Sequence, residues 1–178
     1  RNGKGTLCES VLKVLGSYGC TARPETLAQK NNANSSQPTE DIARLAGVRF
    51  VNISEPGKGL VLNAAQVKSM TGNDTINARF LHENSFDFQP LFKLYINTNY
   101  LPAVNDMTIF TSGRVIIIPF ERHFDESEQD KSLKLEFSKP EVQSAILNWL
   151  LEGYALLQKE GLILPQSVKD ATARYQHD

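Results

Sequence analysis

Four residue types recur here in an order that could carry phosphate chemistry: Lys4, Glu55, Asn99 and Arg114. Lys4 sits in Arg1-Asn2-Gly3-Lys4-Gly5-Thr6, which runs straight into an apolar helical pattern. Gly-Lys, a small residue and then Thr, opening a helix, form the back half of a phosphate-binding loop. Its backbone N–H groups wrap phosphate oxygens, the Lys reaches the outer phosphates, and the helix dipole favours the anion. The full motif places a further Gly five residues before Gly3, ahead of Arg1. The reading therefore expects a fragment that begins inside its own motif, with its first core strand missing. A basic, solvated N-terminus is the plain alternative for these six residues.

Glu55 ends the run Val48-Arg49-Phe50-Val51-Asn52-Ile53-Ser54 and precedes Pro56-Gly57-Lys58-Gly59. An acid at the end of a core strand is what a nucleoside triphosphatase uses to hold Mg²⁺ or activate water; a carboxylate in an exposed turn is the alternative. Asn99 closes Leu94-Tyr95-Ile96-Asn97-Thr98-Asn99, where a polar side chain could sense a γ-phosphate, although Asn is also a common turn former. Arg114 follows Thr111-Ser112-Gly113 and precedes a third apolar run, where it could reach a neighbouring subunit's phosphate or be a surface Arg. Each residue borders a predicted strand or helix, and they appear in the order an oligomeric ring ATPase requires.

The elements that must position them can be read from pattern. Leu7, Val11, Leu12, Val14 and Leu15 recur at helical spacing, with stops at Gly16 and Gly19. Residues 29–38 are polar and rich in Asn and Ser, an exposed loop. Thr39-Glu40-Asp41 starts a short helix ending near Gly47. Val48–Ile53, Leu91–Ile96 and Val115–Phe120 are nearly continuous apolar runs, the signature of a buried, mostly parallel sheet. Asn63 with Gln66 forms a capping box for a helix ending by Gly72. Residues 75–90 read as a β-hairpin, Thr75–Leu81 and Phe86–Phe88 around His82-Glu83-Asn84-Ser85. Residues 121–136 are charged, a linker or solvated face. Ser138 and Glu141 form a second capping box, opening a helix with an apolar stripe through Val142, Ile146, Trp149, Leu150 and Leu157 and closed by Gly161. A last helix begins near Pro165.

Composition bounds the function. At 178 residues the chain is one domain of ordinary size, able to bury about two thirds of its unfolded surface. Its net charge of -1 does not announce a nucleic-acid binder in bulk, though local patches could serve. Cys8 and Cys20 are in no metal or redox spacing, and His82, His123 and His177 are far apart. With no leader pattern and no apolar run long enough to span a bilayer, the expectation is a soluble cytoplasmic protein with no membrane partner.

The ordered series resembles the C-terminal ATPase domain of phage and plasmid DNA primase-helicases, a branch of the superfamily 3 helicases within the AAA+ ATPases. The resemblance rests on residues 1–6, 41–50, Ser54-Glu55, 68–74 with Ala78-Arg79-Phe80, Phe88-Gln89-Pro90 with Phe92-Lys93-Leu94, Thr98-Asn99-Tyr100-Leu101-Pro102, and Gly113-Arg114 before 118–124. It covers nearly the whole chain. It implies an α/β P-loop NTPase fold of AAA+ type: a core over residues 1–124, with a central mostly parallel sheet and the inserted hairpin, then a C-terminal helical region over 125–178. It implies a phage- or plasmid-encoded helicase in a bacterial host, using ATP and Mg²⁺ as a ring, usually hexameric, around single-stranded DNA. Asn2, Gly3, Lys4, Gly5 and Thr6 would bind the nucleotide, Glu55 would be the catalytic acid, Asn99 the sensor and Arg114 the finger supplied in trans. The hairpin would grip DNA through Arg79 and His82; a surface hairpin with an ion-paired Arg79 is the alternative. Gly5 stands where the family has its metal-binding Ser or Thr, so Thr6 takes that role, and Ser54-Glu55 replaces tandem acids, so Glu55 serves both metal and water. Two other readings remain: a DNA-binding, ring-forming domain with impaired catalysis, and a nucleotide kinase, although no Arg-rich lid lies between the loop and the second strand.

Overall fold

The computed structural model describes residues 2–29 and 39–177. Arg1 and residues 30–38 of the expected polar loop lie outside the described residues. In chain order the elements are α1 (Lys4–Leu15), β1 (Gly19–Ala22), α2 (Glu40–Ala43), β2 (Phe50–Ser54), β3 (Val61–Leu62), α3 (Ala64–Thr71), β4 (Ile76–Ala78), β5 (Phe86–Phe88), β6 (Lys93–Asn97), β7 (Ala103–Val104), α4 (Thr108–Thr111), α5 (Leu133–Glu136), α6 (Pro140–Glu160) and α7 (Gln166–His177). The chain divides into two compact units, Arg1–Gly16 with Ile116–Asp178, and Ser17–Val115.

The unit Ser17–Val115 is α/β. Its principal sheet has the order β1-β2-β6, and both pairings are parallel, with Val51 opposite Cys20 on one side and Leu94 on the other. Phe50, Val51, Asn52 and Ile53 of β2 are all buried, as a strand covered on both faces must be. A short parallel pair joins β3 to β7. Leu27, Leu45, Val51, Ile53, Met70 and Ile109 are the largest side chains buried almost wholly among the described residues. Asn63 caps α3 as the capping box predicts, its side chain accepting the Gln66 N–H at 3.1 Å. The predicted hairpin forms as antiparallel β4 and β5, with Ile76 opposite Phe88 and Ala78 opposite Phe86. Its first strand stops at Ala78 rather than Leu81, because the Arg79 backbone pairs with Thr39 instead: Thr39 N–H donates to Arg79 O at 3.1 Å, and Arg79 N–H to Thr39 Oγ1 at 3.0 Å.

The other unit is helical. A salt bridge and a hydrogen bond hold α1 to the segment before α6: Lys134 to Glu9 at 2.8 Å, and Lys13 Nζ donating to Ser138 Oγ at 2.6 Å. Two expectations fail here. Val115–Phe120, the third apolar run, forms no strand. Apolar residues favour burial, but a strand also needs a neighbour to take its N–H and C=O groups. In this run the Ile117 N–H donates instead to Thr172 Oγ1 on α7, at 2.9 Å, and Ile118 is 58% exposed. Ser138 does not cap α6; its hydroxyl donates to Lys134 O at 2.7 Å, and Lys139 occupies the N-cap. The apolar stripe of α6 is not covered: none of its 21 residues is buried, and Trp149, Leu151, Tyr154 and Leu156 are all exposed. Residues 121–136, read as a charged linker, also hold one helical turn, α5.

Candidate functional site

The phosphate-loop residues open α1. Gly3 is its N-cap at φ 82°, a left-handed conformation that glycine reaches without strain, and the helix begins at Lys4. Among the described residues no side chain caps this end, and no acid stands in the first turn. The end therefore keeps the positive partial charge of a helix N-terminus, which suits an anion. Leu7 N–H bonds Gly3 O at 3.0 Å, and Ser10 Oγ donates to Thr6 O at 2.8 Å, fixing the turn that carries Lys4, Gly5 and Thr6. Asn2 Nδ2 donates to Phe120 O at 3.2 Å, tying the residue before the loop into the same unit. These residues fit a phosphate group: a helix N-terminus with no acid in its first turn, an adjacent Lys, and the Thr6 hydroxyl.

The remaining candidates belong to the unit Ser17–Val115. Glu55 follows the last residue of β2 at φ 50°, although it is not glycine and precedes Pro56. A residue before proline normally lies in the extended region, and positive φ in a residue of this type costs on the order of 1–3 kcal/mol. A backbone bond fixes the bend: Glu55 N–H donates to Asn97 O at 2.9 Å, one step past the β2–β6 ladder. The result is an exposed carboxylate at the carboxyl end of a buried parallel strand, the edge where open α/β sheets receive ligands. Asn97 is opposite Ser54. Asn99, the predicted sensor, lies two residues further along, exposed, in a turn where Thr98 Oγ1 donates to Tyr100 O at 2.6 Å and accepts Tyr100 N–H at 3.0 Å. Beside it the Lys58 ammonium lies 5.7 Å from the Tyr100 ring centroid. Behind Glu55, the buried Asn52 amide donates from Nδ2 to Ser54 Oγ at 2.8 Å, while its Oδ1 has no partner among the described residues.

Arg114 is set by local backbone. α4 ends in a Schellman turn: Gly113 at φ 67° donates its N–H to Phe110 O at 2.8 Å, and Arg114 N–H reaches Ile109 O at 3.0 Å. The guanidinium then meets α3, Nη1 donating to Lys68 O at 3.2 Å and to Thr71 Oγ1 at 3.1 Å. Lys68 and Asp106 join α3 to the start of α4 at 2.7 Å. The Asp106 carboxyl is held well below the usual carboxylate range, first by the Lys68 ammonium and then by the Thr108 hydroxyl and N–H.

The hairpin places His82 at its tip, at φ 63°, in a turn closed by Glu83 N–H to Phe80 O at 3.2 Å. Phe80 and Phe86 stack with centroids 5.9 Å apart and brace the tip. Arg79 leads into that turn from the Thr39 pairing.

Sequence reading named Glu55 and Arg114 as candidates, but not the groups that hold them. Asn97 could have been found from strand register, since it pairs with Ser54; the Lys68–Thr71 contact to Arg114 spans more than forty residues and left no local pattern. Among the described residues, no three His, Cys, Asp or Glu side chains converge on a possible metal position. Mg²⁺ in triphosphate sites commonly takes only one or two protein oxygens, with phosphates and water completing its shell. Cys8 and Cys20 are free, and burial raises both thiols above their ordinary range, which keeps them neutral. No helix among the described residues is long and apolar enough to cross a membrane.

No family model matches the chain. It is similar, over 99% of its length, to "Putative helicase 022R" of Frog virus 3 (isolate Goorha), at 32% identity. It is 30% identical over 98% of its length both to "Putative helicase L207/L206" of Acanthamoeba polyphaga mimivirus and to "Putative helicase 121R" of Invertebrate iridescent virus 3. The chain spans about a fifth of the length of these relatives. What it resembles is thus one segment of helicase-named proteins from large DNA viruses, matched nearly end to end.

Proposed function

We propose that the chain is the ATP-hydrolysing domain of a DNA helicase of the superfamily 3 primase-helicase type, acting in a ring of subunits on single-stranded DNA. The observation that carries the reading is Glu55, a strained, exposed carboxylate at the carboxyl end of a buried parallel strand, tied to the polar end of the next strand. The helicase names of the viral relatives support the same activity. The narrower phage- or plasmid-type assignment rests on the ordered motifs alone.

In this reading Asn2, Gly3, Lys4, Gly5 and Thr6 hold the nucleotide, with Lys4 opposing the charge of the outer phosphates. Thr6 and Glu55 are the residues that the resemblance gives as oxygen donors to Mg²⁺, which would offset phosphate charge when bound. Glu55 also orients the attacking water and accepts its proton, and Asn99 senses the outer phosphate. Arg114 stabilises transition-state charge on the nucleotide of a neighbouring subunit. Arg79 and His82 meet DNA on the hairpin, where a basic side chain beside an exposed turn suits a phosphate backbone.

Glu55→Gln in the full protein tests the acid. The expected result is hydrolysis reduced by at least about a hundredfold, as for loss of a general base, with ATP still bound. Residual turnover equal to wild type would instead favour a DNA-binding, ring-forming domain with impaired catalysis.

A further inference from the structure

We infer that Thr71, together with the Lys68 carbonyl, is a positioning residue for Arg114, anchoring one nitrogen of its guanidinium so that the rest of the fork is presented for an anion. This rests on the proposed reading of Arg114 and extends it to the groups that hold it. The Thr71 hydroxyl has a single hydrogen, and it is committed: Oγ1 donates to Val67 O at 2.7 Å. Its lone pairs therefore face Arg114, whose Nη1 sits 3.1 Å away. The second Nη1 hydrogen goes to Lys68 O at 3.2 Å. Both acceptors lie in the last turn of α3, where the helix dipole favours a cation. One terminal nitrogen is thus satisfied, while Nη2 and Nε lie outside this contact. A long exposed side chain otherwise samples many rotamers, and a fork held at Nη1 retains its Nε–Nη2 edge for bidentate recognition of phosphate.

Two further features keep the anchor open and in register. A Cβ placed on Gly72 would meet Lys68 O at 2.9 Å and approach Arg114 Nη1 at 3.6 Å. Only glycine leaves the carbonyl accessible there without a backbone shift. The Lys68–Asp106 bridge ties α3 to the start of α4, whose Schellman turn carries the Arg114 backbone. Anchor and side chain are thereby linked at both ends.

The experiment compares steady-state ATP turnover of the full protein for wild type, Thr71→Val, Thr71→Ser and Arg114→Ala, with thermal melting of each. Thr71→Val is expected to lower kcat about tenfold with KM unchanged, the scale of one charge-assisted hydrogen bond. Thr71→Ser restores kcat, and Thr71→Val adds nothing further on an Arg114→Ala background. Wild-type kcat in Thr71→Val, alongside loss of turnover in Arg114→Ala, overturns the positioning role and leaves the finger reading standing. Wild-type kcat in Arg114→Ala overturns the finger reading itself. If Thr71→Val lacks a cooperative melt, Gly72→Ala replaces it: the same kcat loss at constant KM supports the inference, and unchanged kcat overturns it.

Discussion

Glu55 and Arg114 each carry a conformational cost or constraint that an ordinary surface residue would not. Glu55 is bent to positive φ ahead of a proline and retained there by the Asn97 carbonyl; strain of this kind persists only where the surroundings over-determine it. Arg114 is fixed at its backbone by a Schellman turn and at its tip by α3. The two residues predict different defects. On the proposed finger role, Arg114→Ala removes charge needed only in the transition state, so turnover should fall by roughly three to five orders of magnitude with ATP affinity nearly unchanged. Loss of nucleotide affinity as the main effect, measured by equilibrium binding, would remove that role from Arg114. The residue types and their order were legible in the sequence because strand ends announce themselves where apolar runs stop. The Arg114 anchor was not, since it joins residues far apart in the chain through a helix end that no periodicity marks.

At the scale of elements, α3 and α4 act together through Lys68 and Asp106. The carboxyl of Asp106 is depressed in the folded chain relative to its unfolded value, about 3.9 for a free Asp. A depressed folded value means the contact stabilises fully above the unfolded value and loses its contribution as pH falls through the folded one. Asp106→Asn should therefore lower the thermal midpoint equally at pH 7 and pH 5, and the gap from wild type should close only in strongly acid solution. A gap independent of pH down to the acid limit would contradict this account of the bridge. Element formation was read correctly where a local signal sufficed: the Asn63 cap fixed the start of α3, and the apolar runs marked β2 and β6. It was misread where tertiary partners decide. β1, Gly-Cys-Thr-Ala, has little apolar character and is a strand because β2 lies alongside. Val115–Phe120 has the apolar character and no strand beside it among the described residues. Ser138 has the capping side chain but spends it on Lys134 and Lys13.

At the scale of the whole molecule, the unit Ser17–Val115 holds the most completely buried side chains, while the other unit buries Val11, Val168 and Ala171 and leaves α6 bare along its second half. The apolar stripe of α6 was legible; whether anything covers it was not, because periodicity marks which face is apolar without supplying the partner. The chain matches one segment of much longer helicase-named proteins, and the central claim is that this segment couples ATP hydrolysis to DNA. The most direct measurement is ATP turnover by the full protein with and without single-stranded DNA. The account predicts hydrolysis that rises when single-stranded DNA is added and disappears in Glu55→Gln under both conditions. Turnover indifferent to DNA, with the γ-phosphate appearing on an added nucleoside monophosphate, would contradict it in favour of a kinase.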